Sequence, residues 1–139
     1  MRVTRRQLLA GMGAGMLCLL IGAPSTASAF NPERIRQKMQ QAYGASGVEL
    51  IDEWLAMLQR LRGARLGDQM REVNDFFNRR VRWRDDIAIW GQEDYWATPL
   101  EMLGRREGDC EDYSIAKYIT LKELGVPGNK LRMIYVRAR

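Results

Sequence analysis

Apolar residues at Val48, Leu50, Ile51, Trp54, Leu55, Leu58 and Leu61 recur at steps of three and four, the period of a helix with one buried face. Gly63 is placed to close that helix. Upstream, Asn31-Pro32-Glu33 reads as a helix start, with Asn31 as N-cap and Pro32 at the first helical position, and Gly44 ends this first helix after about Tyr43. A third helix is predicted from Asp68 to Arg80, with Met70, Val73, Phe76 and Phe77 as its apolar stripe. The arginines around it (Arg71, Arg79, Arg80, Arg82 and Arg84) read as a solvated face.

Periodicity then breaks. Residues 81–97 hold Trp83, Trp90, Tyr95 and Trp96 among Asp85, Asp86, Glu93 and Asp94 with neither a helical nor a strand period, so an ordered loop with short turns is expected. Its tryptophans either lid the core or wall a groove, since indole offers packing surface and a polar edge together. Thr98-Pro99-Leu100-Glu101 has the form of a capping box opening a short helix that ends by Gly104. Asp109 can cap a further helix whose first turn is Cys110, Glu111 and Asp112 and whose buried face is Ile115, Ala116, Ile119 and Leu124. Gly125 is a C-cap signal, with Val126 placed to touch Leu121 and Pro127 barring continuation. Leu131 to Val136 alternates toward a strand.

The first thirty residues follow other rules. Met1 to Arg6 is basic, Leu8 to Ala23 is apolar and Gly-rich, and Ala27-Ser28-Ala29 offers small residues to a signal peptidase, with cleavage near Ala29. Thr4-Arg5-Arg6-Gln7-Leu8-Leu9 resembles a twin-arginine export signal; a general secretory signal with two adjacent arginines is the alternative. Leu17 before Cys18 argues against a lipoprotein anchor. Residues 1–29 are thus expected to be an export signal and 30–139 a single domain in the periplasm, with no stable membrane anchor after cleavage. Three leader arginines account for three of the five net positive charges, leaving +2. That balance gives no reason to expect a nucleic-acid partner.

Loss of Cys18 with the leader leaves Cys110 solitary. A thiol at the first helical position meets unpaired backbone N–H groups and the positive end of the helix dipole, which favour thiolate and could hold an oxyanion. Asp109, Glu111 and Asp112 work against this, because carboxylates beside a thiol raise its pKa. A hard divalent cation bound by those oxygens would offset the repulsion; acidic capping of a helix terminus is the plainer reading. No histidine occurs in the 139 residues, so the usual base for a cysteine nucleophile is missing.

Several motifs in one order resemble the bacterial transglutaminase-like cysteine proteases of the LapG type. They are Asp94-Tyr95-Trp96-Ala97-Thr98-Pro99-Leu100-Glu101, Gly108-Asp109-Cys110-Glu111-Asp112-Tyr113, Ala116-Lys117-Tyr118, Leu124-Gly125-Val126-Pro127 and Leu131 to Arg137. The resemblance covers roughly residues 68–138. It implies an α+β, papain-like and transglutaminase-like fold, of which this chain holds mainly the helical N-terminal half and the first strand. It implies Cys110 as nucleophile and Ca²⁺ as cofactor, with Asp109, Glu111 and the adjacent Asp112 as calcium-associated acids. It further implies a periplasmic endopeptidase that clips the N-terminal region of a large surface adhesin, releases biofilm cells, and is sequestered by a LapD-like inner-membrane receptor for cyclic di-GMP. The family's histidine and aspartate come after the point where this chain stops. A fragment or interrupted reading frame is therefore expected, with the cysteine helix poorly covered on its apolar face. The alternative function is a non-catalytic, calcium-dependent binding module or an inactive truncated homologue.

Overall fold

The computed structural model describes residues 30–136. The expected export signal and Arg137 lie outside them. Helix α1 runs Pro32–Leu61 with Asn31 as its cap, the side chain accepting from the Arg34 N–H at 3.1 Å. Gly44 interrupts it at φ 65° and ψ −158°, a conformation open to glycine and strained for other residues. The element is thus the two expected helices end to end, and Arg36 bridges the break by pairing with Asp52. Among the described residues no helix is long and apolar enough to cross a membrane.

Helix α2 spans Leu66–Arg80, beginning two residues earlier than the pattern predicts. Its buried stripe is Gln69, Val73 and Phe77, while Met70 points outward. Gln69 is tolerated inside because its amide donates to the carbonyl of Leu61 at 3.0 Å. The arginines of the basic run are on the surface and paired with Asp68, Asp75, Glu53 and Glu107.

The stretch predicted as loop contains regular structure. Strand β1 (Arg82–Trp83) pairs in parallel with β2 (Glu107–Gly108), Arg82 opposite Glu107 and Trp83 opposite Gly108. The five-residue helix α3 (Asp86–Trp90) follows β1. Elements this short leave no period to read. Helix α4 (Pro99–Arg105) opens on the expected capping box, Thr98 with Glu101. It packs on α1 where Gly104 meets the Tyr43 ring: a Cβ at Gly104 would collide with it.

Helix α5 (Cys110–Glu123) starts directly after β2, with Asp109 as N-cap. It ends in a Schellman motif: Val126 N–H donates to Leu121 O and Gly125 N–H to Lys122 O, both at 3.0 Å, with Gly125 at φ 85°. Its buried face is Asp112, Ala116, Thr120 and Leu121; Ile115 and Ile119 are only half-buried. The polar members are held by partners: Thr120 accepts from the buried Trp54 indole N–H at 3.1 Å. Lys117 binds Asn74 and Asn78 of α2, both at 2.8 Å, and fastens α5 along that helix.

One core joins these helices, built from Leu50, Ile51, Trp54, Leu58, Val73, Phe77, Met102, Leu103, Ala116 and their neighbours. The architecture is α+β with helices dominant. Leu131 to Val136 is extended but is not a strand, contrary to the alternation. A strand exists only through ladder hydrogen bonds, and no second strand lies beside this segment among the described residues. Met133, Ile134, Tyr135 and Val136 are left exposed.

Candidate active site

The β1–β2 pair places the nucleophile candidate. Arg84 N–H donates to Gly108 O at 3.0 Å, fixing the residue before the α5 cap. Gly108 is closely packed: a Cβ there would stand 3.1 Å from both the Asp112 side chain and the end of Met102, which would have to shift to admit it. The next turn of chain is set by a reciprocal capping box. Asp109 accepts from the Asp112 N–H at 3.5 Å and Asp112 accepts from the Asp109 N–H at 3.4 Å. Cys110 therefore sits at the first helical position, exposed and unpaired.

Beside it lies a groove of about 240 Å³ lined by Trp96, Glu111, Ser114, Ile115 and the extended residues 133–136. Of the tryptophans in the 81–97 segment, Trp96 walls this groove, Trp83 is exposed on the surface, and Trp90 stacks on Tyr95 at 4.3 Å. The tryptophan that does belong to the core is Trp54 of α1.

The thiol is not activated in this arrangement. Cys110 Sγ donates to Glu111 Oε2 at 3.0 Å, and this hydrogen bond, then burial and the Glu111 and Asp109 charges, raise its pKa above the ordinary cysteine value. Burial opposes ionisation of Glu111 itself, but hydrogen bonds from the Cys110 thiol and backbone bring its pKa net below the usual range. Asp109 is pushed up to about 7, by burial first and then by a hydrogen bond with Glu111 and the charges of Asp86 and Glu111.

Asp109, Glu111 and Asp112 do not converge on one point. Asp109 belongs to two overlapping groups, one with Cys110 and Glu111, the other with Asp112 and Asp86; within each group a ligand atom of every member lies within 4.8 Å of the others. Asp86 escapes a reading of the sequence because it comes from α3, far along the chain, and an acid at a short helix start reads as a cap. It is 5 % exposed and Asp112 is 0 % exposed. Burial raises the pKa of both. Asp86 Oδ2 accepts from the Tyr95 N–H at 2.6 Å, whereas Oδ1 is buried without a hydrogen-bond partner. Oxygen-only donors, crowded negative charge and an orphaned carboxylate oxygen fit a hard cation such as Ca²⁺.

A family model for bacterial transglutaminase-like cysteine proteinases matches residues 56–139. No curated protein matches the chain. Solved structures of Legionella pneumophila LapG are similar to it. The EGTA-treated form is 31 % identical with a TM-score of 0.60, over 72 % of this chain and 53 % of that one. The calcium-bound form is 33 % identical with a TM-score of 0.60, over 72 % and 54 %. The chain thus spans about half the length of these structures. Its helical scaffold with the cysteine at the head of α5 is the transglutaminase-like fold, and the chain belongs to the bacterial transglutaminase-like cysteine proteinase family.

Proposed function

We propose that Cys110 is the nucleophile of a calcium-dependent cysteine endopeptidase. The observation that carries this is the exposed thiol at the first position of α5, opening onto the groove walled by Trp96. In the proposed acylation, the thiolate attacks a scissile carbonyl and the leaving amine departs with a proton from a general acid. The N–H groups of Cys110 and Glu111, which head the helix without intrahelical acceptors, face the developing oxyanion. Water then opens the thioester; an amine in its place would give acyl transfer. The 139 residues contain no histidine, so the reading requires an imidazole base from outside them.

Asp109, together with Asp112 or with Glu111, would hold the cation, and its charge would neutralise carboxylates that keep the thiol protonated. The substrate we propose is the N-terminal region of a large surface adhesin, cut in the periplasm to release biofilm cells. A LapD-like inner-membrane receptor for cyclic di-GMP would sequester the enzyme. The family and the similarity to LapG support the cysteine-protease reading, and the substrate, compartment and receptor are what the resemblance of the sequence motifs implies. A Cys110→Ser gene should abolish adhesin release in cells that otherwise show it; unchanged release would refute the reading.

One observation favours a second reading, a non-catalytic calcium-dependent binding module: the thiol is held protonated by Glu111. Iodoacetamide labelling across pH separates the two. Catalysis requires that calcium shift Cys110 alkylation down toward neutral pH; a profile unmoved by calcium leaves the binding module.

A further inference from the structure

Residues 132–136 are extended, apolar and unpaired. The Leu131 N–H still bonds, to Gly128 O at 3.2 Å, but among the described residues no hydrogen bond reaches the backbone beyond it. Ile134, Tyr135 and Val136 are 73 %, 71 % and 79 % exposed. An edge of free N–H and C=O groups is a template for another strand. A short β-forming run with one charge and no proline has the composition of segments that pair with copies of themselves.

The strip has a direction on the fold. Leu131 and Arg132 line a hollow with Tyr118 and Leu121, whereas Tyr135 and Val136 line the Cys110 groove. It therefore runs against α5, with Tyr135 beside Trp96 at 6.5 Å between ring centroids. Charge divides along the same line. Arg132 is exposed and makes no ion pair among the described residues. At the other end, Asp109 and Glu111 have no basic side chain facing them there.

We propose that residues 132–136 are a self-association edge, along which two copies of this chain pair antiparallel about Ile134 and cover the Val136 end of the Cys110 groove. Parallel pairing would set Arg132 beside Arg132 and acid beside acid. Antiparallel pairing puts Arg132 of each copy opposite Val136 of the other, at the acidic end. Ile134 then meets Ile134, and Met133 meets Tyr135, as cross-strand pairs. The contact is two-fold and self-complementary, so it closes at a dimer. It stands apart from the protease reading and needs neither catalysis nor calcium.

Sedimentation velocity on the full chain in EDTA tests this over roughly a hundredfold range of concentration. A monomer–dimer equilibrium is expected. Ile134→Lys, which would set two ammonium groups face to face, should weaken it by roughly tenfold or more, and Arg132→Glu should also weaken it. Both positions are exposed, so the fold should survive, as far-UV circular dichroism will show. Met70→Lys, at an exposed apolar position on α2, should leave the dimer unchanged. Iodoacetamide should alkylate Cys110 more slowly as the parent's concentration rises, but not in Ile134→Lys. A monomer at every concentration overturns the proposal, whether another protein or another segment of the polypeptide covers the strip. So do a dimer indifferent to Ile134→Lys or to Arg132→Glu, an equal loss in Met70→Lys, and an alkylation rate independent of concentration.

Discussion

Thr120→Val tests what holds the nucleophile helix to the core. Thr120 is fully buried on α5; its hydroxyl accepts from Trp54 Nε1 at 3.1 Å and donates to Ala116 O at 2.7 Å. Valine keeps the shape and removes the hydroxyl. Ala116 O retains its helical N–H partner, so that side of the loss is small. The Trp54 indole N–H is left in the core, where Trp54 is 2 % exposed, with no acceptor. An orphaned buried donor costs about 1–3 kcal/mol, against about 0.5–1.5 for a typical net hydrogen bond. The expected loss is therefore about 1–3 kcal/mol, read from urea denaturation followed by far-UV circular dichroism. Thr120→Val/Trp54→Phe completes a double-mutant cycle and should show a coupling of about 1–2 kcal/mol, since the second change removes the orphan. A cost for Thr120→Val below about 0.5 kcal/mol, or strictly additive single mutants, would refute the anchoring role. Cys110 lies ten residues along the helix, about 15 Å away, so its alkylation rate should not change.

The remaining predictions probe the site and its supports. Gly104→Ala should destabilise by about 1–3 kcal/mol in the same urea assay, because its Cβ meets the Tyr43 ring; a neutral result would show that α1 and α4 yield easily. Glu111→Gln should shift the pH profile of Cys110 alkylation to lower pH in EDTA, as the acceptor that raises the thiol pKa loses its charge; an unshifted profile would contradict the Cys110–Glu111 hydrogen bond. In EDTA, the Asp109 pKa of about 7 stands above its ordinary value of 3.8, so the folded state holds the proton more tightly than the unfolded one. This contribution is fully present below pH 4 and is lost as pH rises to about 7, so stability should fall across that window and Asp109→Asn should flatten the fall. Thermal melts at pH 5 and 8 check the sign, and a parent more stable at pH 8 would reverse it.

What the sequence shows of this molecule is what neighbours along the chain decide. The Gly44 break, the Thr98–Glu101 box, the Asp109 cap and the Gly125 turn all depend on partners within five residues, and each is where the pattern puts it. Distant partners decide the rest. Gln69 displaces Met70 from the interior because Leu61 O, in another helix, accepts its amide. Asp112 and Thr120 take the buried face of α5 in place of Ile115 and Ile119 because Ala97 N–H and Trp54 Nε1 reach them from elsewhere in the fold. Residues 131–136 alternate like a strand yet have no ladder among the described residues, since alternation sets a face and pairing needs a second chain segment. Asp86 is illegible for the same reason: only the fold brings it to Asp109 and Asp112.

The position of Cys110 shows which of two opposed effects rules a helix start. A helix terminus favours an anion by about 0.3–1 kcal/mol. Two unit charges 3 Å apart repel by roughly 1.4 kcal/mol even at the dielectric constant of bulk water, and by more where water is partly excluded. With Glu111 Oε2 at 3.0 Å from Sγ, the carboxylate wins, and the thiol pKa moves up although the helix pulls it down. Placing a cysteine at a helix N-terminus is therefore insufficient to make a nucleophile when the next residue is an acid. The capping box that fixes Cys110 is made by Asp109 and Asp112, whereas the charge that disarms the thiol is chiefly that of Glu111, with Asp109 adding a smaller share. Geometry and reactivity are thus set by neighbouring carboxylates of one helix turn, and only Asp109 serves in both. Only a change in their charge, by proton or by cation, can raise the reactivity while leaving the geometry in place.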